Sequence, residues 1–491
     1  MKNKNNFLGF FEARSRTTEA VAGVAALAVL AYLLRLFLAG KTTLVHDNLA
    51  WNYPVFQFFA ENIINGHFPF WNPFSHGGEP FYPLLGQLRL FEPTALLTIY
   101  IGHFFTNDIV ILFNWNRVVQ TLIMSFGAYV CLRPFAINLF VRLTLIPILV
   151  FSSFFLGSFR QDAILNQFMW VPFIAHLFLR IAYYKDYRWH NYLFAVVLIG
   201  LNYQSYFFSG VLVFILFFTV ALAIFRLDLL KGVFKSRQFF LKFVAAFFII
   251  SMMAAPNIVL MLEKNDYIFP ARMLDPAGET DGPLQHEGGP ELKRVAGINM
   301  PYHFIKHTGT FSTVSDFIQM ISPDGNEHIR WPDMKGWGRS SEAYIYLGLL
   351  VWCVGILGLL AGEHELKRVW ALLLLLFGLL MLGPPGGLHW LLYHVYPPMW
   401  FVRHTHAFVL FFVFSFLYFY VLGLNRIFSS WGKGVFNLAC DGNLTDFIRG
   451  NKILVAVMAS AFVLAAISFK LFFFSQLVML AHFVWDYLFI F

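Results

Sequence analysis

The chain has 491 residues, of which 58% are hydrophobic, 19% aromatic and only 13% charged, with a mean hydropathy of +0.64. That is too little polar surface to cover a body of this size in water, which excludes a soluble globular protein and defines a polytopic membrane protein. The formal net charge of +8 does not point to nucleic acid, because many Lys and Arg fall in short gaps between apolar runs, where the positive-inside rule accounts for them.

Runs of about 20 apolar residues mark membrane spans, and the charges beside them set their direction. The reading is an all-α bundle of about eleven transmembrane helices, twelve if the C-terminal tail also spans. Lys2, Lys4, Arg14 and Arg16 place the start in the cytoplasm, so Val21 to Leu38 runs outward. This first span is too long, and too poorly followed by a small-residue cleavage site, to be a signal peptide. Residues 43–108 then form an external first loop. Its stretch from Leu44 to Pro93 is too broken by Pro54, Pro69, Pro73, Pro80 and Pro83 to span, and too aromatic to hang free, so it is expected along the membrane surface. Beyond Pro54, the stripes Val55, Phe59, Ile63 and Gln57, Glu61, Asn65 both recur every four residues, which describes an interfacial helix with one apolar and one wet face.

Ile109 to Tyr129 returns to a cytoplasmic turn with Arg133 and Arg142, and Leu143 to Leu156 leads out to the short loop GSFRQDAILNQ. Phe168 to Ile181 comes back to Lys185 and Arg188. Asn191 to Leu201 and Phe207 to Phe225 form an outward and an inward helix around the polar NYQS. A basic gap with Arg226, Lys231, Lys235, Arg237 and Lys242 precedes the outward Phe243 to Leu262, and residues 263–341 make a large external loop. Tyr344 to Leu360 goes in, Lys367 and Arg368 turn the chain, and Val369 to Leu382 goes out to a second external loop, 383–406. Ala407 to Leu424 goes in, Ile453 to Phe474 exits, and the tail Gln476 to Phe491 either spans or lies at the interface. The whole of 1–491 reads as one integral membrane domain with no separate C-terminal soluble domain. There is no internal repeat, heptad or low-complexity tract. Cys131, Cys353 and Cys440 have no partner at metal or disulfide spacing.

All the large non-membrane segments are external in this reading, and no Gly-rich phosphate loop or dinucleotide fingerprint follows a strand. Nucleotide-activated donors are made in the cytoplasm, so an enzyme on this face needs a substrate carried in the lipid, such as a polyprenyl-phosphate sugar. Transfer to a hydroxyl requires a base beside it and cations to hold the departing phosphate. Asp47, a few residues beyond the first span, is the candidate base. The alternative is a turn or N-cap residue ahead of Asn48 and Leu49. Glu79 and Glu92 are the next acids in the same loop. His46, His67 and His76 match no ligand spacing, so no metal or other cofactor is expected, a divalent ion on those histidines being the alternative.

Asn114, Asn116, Arg117 and Gln120 open the second span, a cluster too costly to face lipid. Arg117 either contacts the donor phosphate or snorkels to the interface. Arg403, His404 and His406 precede an inward span, and the planar fork of Arg403 suits a phosphate.

With those residues in hand, the chain resembles the YfhO family of bacterial membrane proteins, a branch of the GT-C glycosyltransferase superfamily. The resemblance covers most of the chain and rests on HDN around Asp47, GHFPFWNPFSHGGEP, the WVPF at Trp170, NYQSYF around Gln204, YIYLGLL at Tyr344 and PPMWFVRHTHAF around Arg403. It implies a GT-C fold, a catalytic acid in the external first loop, and a polyprenyl-phosphate sugar donor. The acceptor would be a cell-envelope glycan such as a teichoic acid, a glycolipid or a protein. By position, Asp47 becomes the catalytic acid with Asn48 beside it, Trp71 and Asn72 join the first-loop scaffold with Glu79, and Arg403 matches the family's Arg before a late span. Gln204, His404 and His406 complete the implied substrate site. The chain departs in lacking the large C-terminal external portion of longer members, and in having NYQ where relatives often have a His-Pro-Gln run. The implied location is the bacterial cytoplasmic (inner) membrane, with partners limited to bilayer, donor and acceptor. Two other readings stand beside the enzyme: a lipid-linked-sugar flippase, which needs polar residues across the whole membrane, and a non-catalytic envelope-assembly protein, which does not need Asp47.

Overall fold

The computed structural model describes residues 2–44, 52–74, 79–81, 93–152, 165, 168–203, 209–235, 241–242, 244–252, 347–396, 399, 402 and 405–431. The large external loop 263–341, the span Ile453 to Phe474, the tail and most of Phe243 to Leu262 lie outside these residues, as do Asp47, Asn48, Gln204, Arg403 and His404. By contact the chain divides into Met1–Leu424 and Asn425–Phe491; the second unit is described only as the end of a helix, to residue 431.

The first unit is predominantly helical. Its elements are α1 (Lys2–Leu33), α2 (Arg35–Leu38), α3 (Tyr53–Ile64), the short strands β1 (Trp71–Asn72) and β2 (Glu79–Pro80), α4 (Pro93–His103), α5 (Ile109–Leu132), α6 (Leu139–Phe151), α7 (Val171–Ala182), α8 (Trp189–Tyr203), α9 (Ser209–Phe225), α10 (Leu227–Lys235), α11 (Leu349–Ala361), α12 (Lys367–Met381), α13 (Leu388–Val395) and α14 (Val409–Trp431), whose end enters the second unit. Among the described residues three stretches are long and apolar enough to cross a bilayer: Arg16–Leu33, Ile109–Phe135 and Thr405–Ser429. The apolar helices α6, α7, α8, α9 and α11 are shorter, and the described residues do not confirm the expected count of about eleven spans. The helical, apolar character of a membrane protein is what these elements establish.

Similar hydropathy hides different positions in the bundle. Only 6% of the stretch Arg16–Leu33 is buried, whereas every residue of 405–424 is, so one apolar helix is at the rim and the other at the centre. Around α14 the core is aromatic: Trp370 of α12 stacks on Tyr418 at 4.9 Å, and Phe377 of α12 meets Phe411 at 5.0 Å. Lipid offers no hydrophobic drive between helices, so close approach depends on small residues. At Gly358 of α11 a Cβ would lie 1.8 Å from the Phe419 carbonyl oxygen, and at Gly423 of α14 another would lie 2.0 Å from the Val354 carbonyl oxygen. Only glycine permits this contact.

The basic gaps gather at one end. Glu19 of α1 accepts hydrogen bonds from Tyr129 Oη at 2.7 Å, Arg133 Nε at 2.7 Å and Arg142 Nη1 at 3.2 Å, joining α1 to both sides of the turn between α5 and α6. At the same end, Arg226 bonds Glu365 at 2.9 Å, and the Phe135 ring meets His364 at 5.0 Å. The alternation read from the charges therefore has a counterpart in contact. At the opposite end, Tyr396 Oη donates to the Leu212 carbonyl at 3.2 Å, placing residues after α13 beside the start of α9.

Glu19 is 8% exposed, and its partners Arg133 and Arg142 are 31% and 25% exposed. Removing one member of a buried ion pair costs about 3–5 kcal/mol, and the partial exposure of both arginines lowers that here to about 2–3 kcal/mol. Glu19→Ala is thus expected to lower the unfolding temperature of the purified protein clearly, and Glu19→Gln, which keeps an acceptor oxygen, by less. Identical melting of wild type and Glu19→Ala would mean that this cluster is not holding α1.

The turn between α7 and α8 is built on Asp186. Arg188 donates to both carboxylate oxygens at 2.7 Å, Arg180 pairs with Oδ2, and Lys185 takes a left-handed φ of 54°. The Arg188 fork, helped by Asn191 and Arg180, holds the Asp186 carboxyl well below the usual carboxylate range. A carboxylate whose pKa falls on folding adds stability above its unfolded pKa, about 4, and that stability is lost only as pH falls through the lower folded value. Amide exchange in this turn, corrected for intrinsic rate, is therefore expected to show the same protection at pH 4.5 as at pH 7 (roughly the unfolded pKa and neutrality), and Asp186→Asn to lose it at both.

Candidate functional site

The described part of the first loop is built on α5. Asp108 caps that helix, its side chain accepting from the Val110 amide at 2.8 Å, which contributes about 1 kcal/mol. One turn further, Asn114 is fully committed to the strap that leaves the first span: its Nδ2 donates to the carbonyls of Phe37 at 2.7 Å and Thr42 at 2.8 Å, and its Oδ1 accepts from Thr43 Oγ1 at 2.9 Å. Trp115 Nε1 donates to the Leu38 carbonyl at 2.9 Å. These four bonds fix the chain at residues 37–43, just before Asp47. Asn114 thus turns away from lipid into the bundle, as its polarity requires, and its task there is structural.

Helix α3 shows the expected stripes: Val55, Phe59 and Ile63 are buried and Glu61 is exposed. Its apolar face meets protein. Val55, Phe56, Phe59, Ala60 and Ile63 pack with Phe81, Ala95, Ile99, Leu112 and Phe113, and Phe113 of α5 sits edge-on to both Tyr53 at 5.6 Å and Phe56 at 5.4 Å. Trp71–Asn72 and Glu79–Pro80, separate in sequence, come together as an antiparallel ladder in which Trp71 faces Pro80 and Asn72 faces Glu79. Asn72 is buried and accepts from the Phe74 amide at 3.0 Å, while Phe81 packs on Phe58 of α3 at 4.8 Å. Trp71 is 55% exposed. Of the expected site residues, Trp71, Asn72 and Glu79 are thus brought to one place by backbone pairing.

Beneath α3 lies Arg117. It is 3% exposed, about 12 Å along α5 from its first residue, with its guanidinium 5.0 Å from the Phe113 ring centre and Nη1 donating to Gln120 Oε1 at 3.4 Å. Of the two readings open in the sequence, snorkelling to the interface is not what this side chain does. Asn116 and Gln120 are 2% and 0% exposed, and Asn116 Oδ1 and Gln120 Nε2 have no hydrogen-bond partner among the described residues. Burying such groups away from water is costly. Since helical side chains lean toward the N-terminus, the stack Tyr53, Phe113, Arg117 runs from the first loop into the bundle.

His406 is buried in the turn Thr405–Phe408 that opens α14. Nearby, His389 Nε2 bonds the Val402 carbonyl at 3.3 Å, and burial pushes its imidazole down to about 4, neutral at physiological pH. His389 had no signal in the sequence beyond its place in an aromatic loop. Among the described residues no three His, Cys, Asp or Glu side chains converge as a metal would require; His46 and His76 lie outside them.

The fold and this site define a class: a predominantly helical, apolar membrane protein with a buried polar and cationic cluster, Asn116, Arg117 and Gln120, in α5. Comparison with protein-family models and with curated proteins returns no match to this chain.

Proposed function

We propose that the protein is a GT-C type glycosyltransferase of about eleven spans that moves a sugar from a polyprenyl-phosphate donor to a cell-envelope acceptor on the external face of the bacterial cytoplasmic membrane, its N-terminus in the cytoplasm. The observation that supports this reading most is the buried trio Asn116, Arg117 and Gln120 beneath the first loop, chemistry suited to a phosphate brought in through lipid. The resemblance to the YfhO family supplies the donor class and the role of Asp47.

In the proposed step, Asp47 takes the proton from the acceptor hydroxyl as its oxygen bonds to the anomeric carbon. The bond from that carbon to the phosphate oxygen breaks, and the polyprenyl phosphate departs with the electron pair. Phosphate is a weakly basic leaving group, so no general acid is needed; Arg117 and Arg403 hold the charge that develops on it. Asn48, Trp71, Asn72, Glu79, Gln204, His404 and His406 are the proposed sugar and acceptor contacts.

The test is mass spectrometry of envelope glycans from cells with and without the protein, followed by reconstitution with the polyprenyl-phosphate sugar thus indicated. Loss of one glycosylated species, and its formation in vitro with release of polyprenyl phosphate, is the expected result. Movement of intact donor across the vesicle without release would make the protein a flippase, and unchanged glycans would remove both readings.

A further inference from the structure

At the end of the bundle where the basic gaps gather, residues 185–189 and Lys242 line an open cavity of about 530 Å³. A basic gap at one membrane face is general to membrane proteins. What distinguishes this one is convergence: Lys185 and Arg188 come from the turn between α7 and α8, Lys242 comes from the chain more than fifty residues later, and all three line one cavity.

Lys242 is 8% exposed. Its ammonium donates to the Tyr187 carbonyl and lies 5.1 Å from the Trp189 ring centre and 5.4 Å from that of Tyr192. Among the described residues no carboxylate pairs with Lys242 or with Lys185. The cavity thus carries three cations against the single carboxylate of Asp186, and that carboxylate is already bonded by Arg180 and Arg188. A buried ammonium beside unneutralised positive charge calls for an anion.

The flanks say where that anion comes from. On the helix that leaves the cavity, α8, Leu193 and Phe194 are 56% and 57% exposed, and on the segment 244–252 Phe247 and Phe248 are each 64% exposed. Apolar side chains facing outward on both helices place the cavity at the boundary between hydrocarbon and water, with Trp189, 61% exposed, as the aromatic residue typical of that level. A phosphate in the cavity would leave its acyl chains lying along those apolar faces.

We propose that this cavity binds the phosphate headgroup of an anionic phospholipid of the surrounding leaflet. Lys185 and Arg188 would contact the phosphate oxygens and Lys242 would supply charge from the cavity floor. This site is distinct from the buried Arg117 cluster and does not depend on any enzymatic role.

The test is a binding titration of the delipidated, full-length protein in detergent, followed by native mass spectrometry, with phosphatidylglycerol, phosphatidylcholine and inorganic phosphate as separate probes. Wild type is expected to bind phosphatidylglycerol at least tenfold tighter than phosphatidylcholine, with inorganic phosphate displacing it only at millimolar concentration. Lys185→Gln alters an exposed side chain outside the Asp186 cluster, so it is expected to melt as wild type and to weaken the preference. The double variant Lys185→Gln, Arg188→Gln, which also takes Arg188 from Asp186, is expected to fold with a lower melting temperature and to lose the preference to within twofold. Lys242→Gln, judged only if its melting is near wild type, is expected to do the same. Equal binding of the two lipids by wild type, or a double variant that keeps the preference, would overturn the proposal. Displacement by micromolar phosphate would overturn the lipid as the source and assign the cavity to a soluble phosphate.

Discussion

Asp47→Asn is expected to lower sugar transfer by about 10²- to 10⁴-fold, the contribution of a positioned general base, with insertion and melting near wild type. Asn keeps the size and hydrogen-bonding reach of the acid and removes only its basicity. The expectation draws on how the chain before Asp47 is held. Asn114 and Trp115 make four side-chain hydrogen bonds to residues 37–43, and a base must be held in place to act on a hydroxyl. Asp47→Glu, longer by one methylene, is expected to be partly active. Measurement is turnover in proteoliposomes with a defined polyprenyl-phosphate sugar. Turnover of Asp47→Asn within a factor of a few of wild type would move the base to Glu79 or Glu92.

What could be read in the sequence, and what could not, divides along physical lines. The start of α5 at Ile109 was legible because hydropathy breaks there, although its cap, Asp108, emerged only in the structure. The stripes of α3 were legible as well, since period-four alternation survives any fold. What that helix packs against was not: an apolar face looks the same whether lipid or Phe113 covers it. The basic gaps told that they belong at one end, yet their partners were hidden. Arg133 and Arg142 read only as markers of orientation until Glu19, an acid in the first turns of an otherwise apolar span, was found between them. Long-range pairs of this kind leave no local pattern. The polar cluster opening the second span was visible as a cost, but its division of labour was not. Asn114 is taken up by backbone carbonyls while Asn116 and Gln120 keep open bonding capacity, and only the direction of each side chain separates the two roles.

Arg117 offers a case in which function and stability are expected to move in opposite directions. Its guanidinium is 3% exposed and is met by Phe113 and Gln120. Keeping a guanidinium out of water is costly, and an apolar side chain of similar length removes that cost while filling the same space. Arg117→Met is therefore expected to melt at or above the wild-type temperature. If the same guanidinium holds the departing phosphate, its loss removes a contact that strengthens as charge develops there. That costs on the order of 2–4 kcal/mol, or about 30- to 1000-fold in turnover. Arg117→Lys keeps a charge and loses the planar fork, so an intermediate rate is expected. A protein that only needed Arg117 for packing would lose activity and melting temperature together, or neither. Undiminished turnover in a stable Arg117→Met protein would exclude Arg117 from the reaction and leave Arg403 to hold the phosphate.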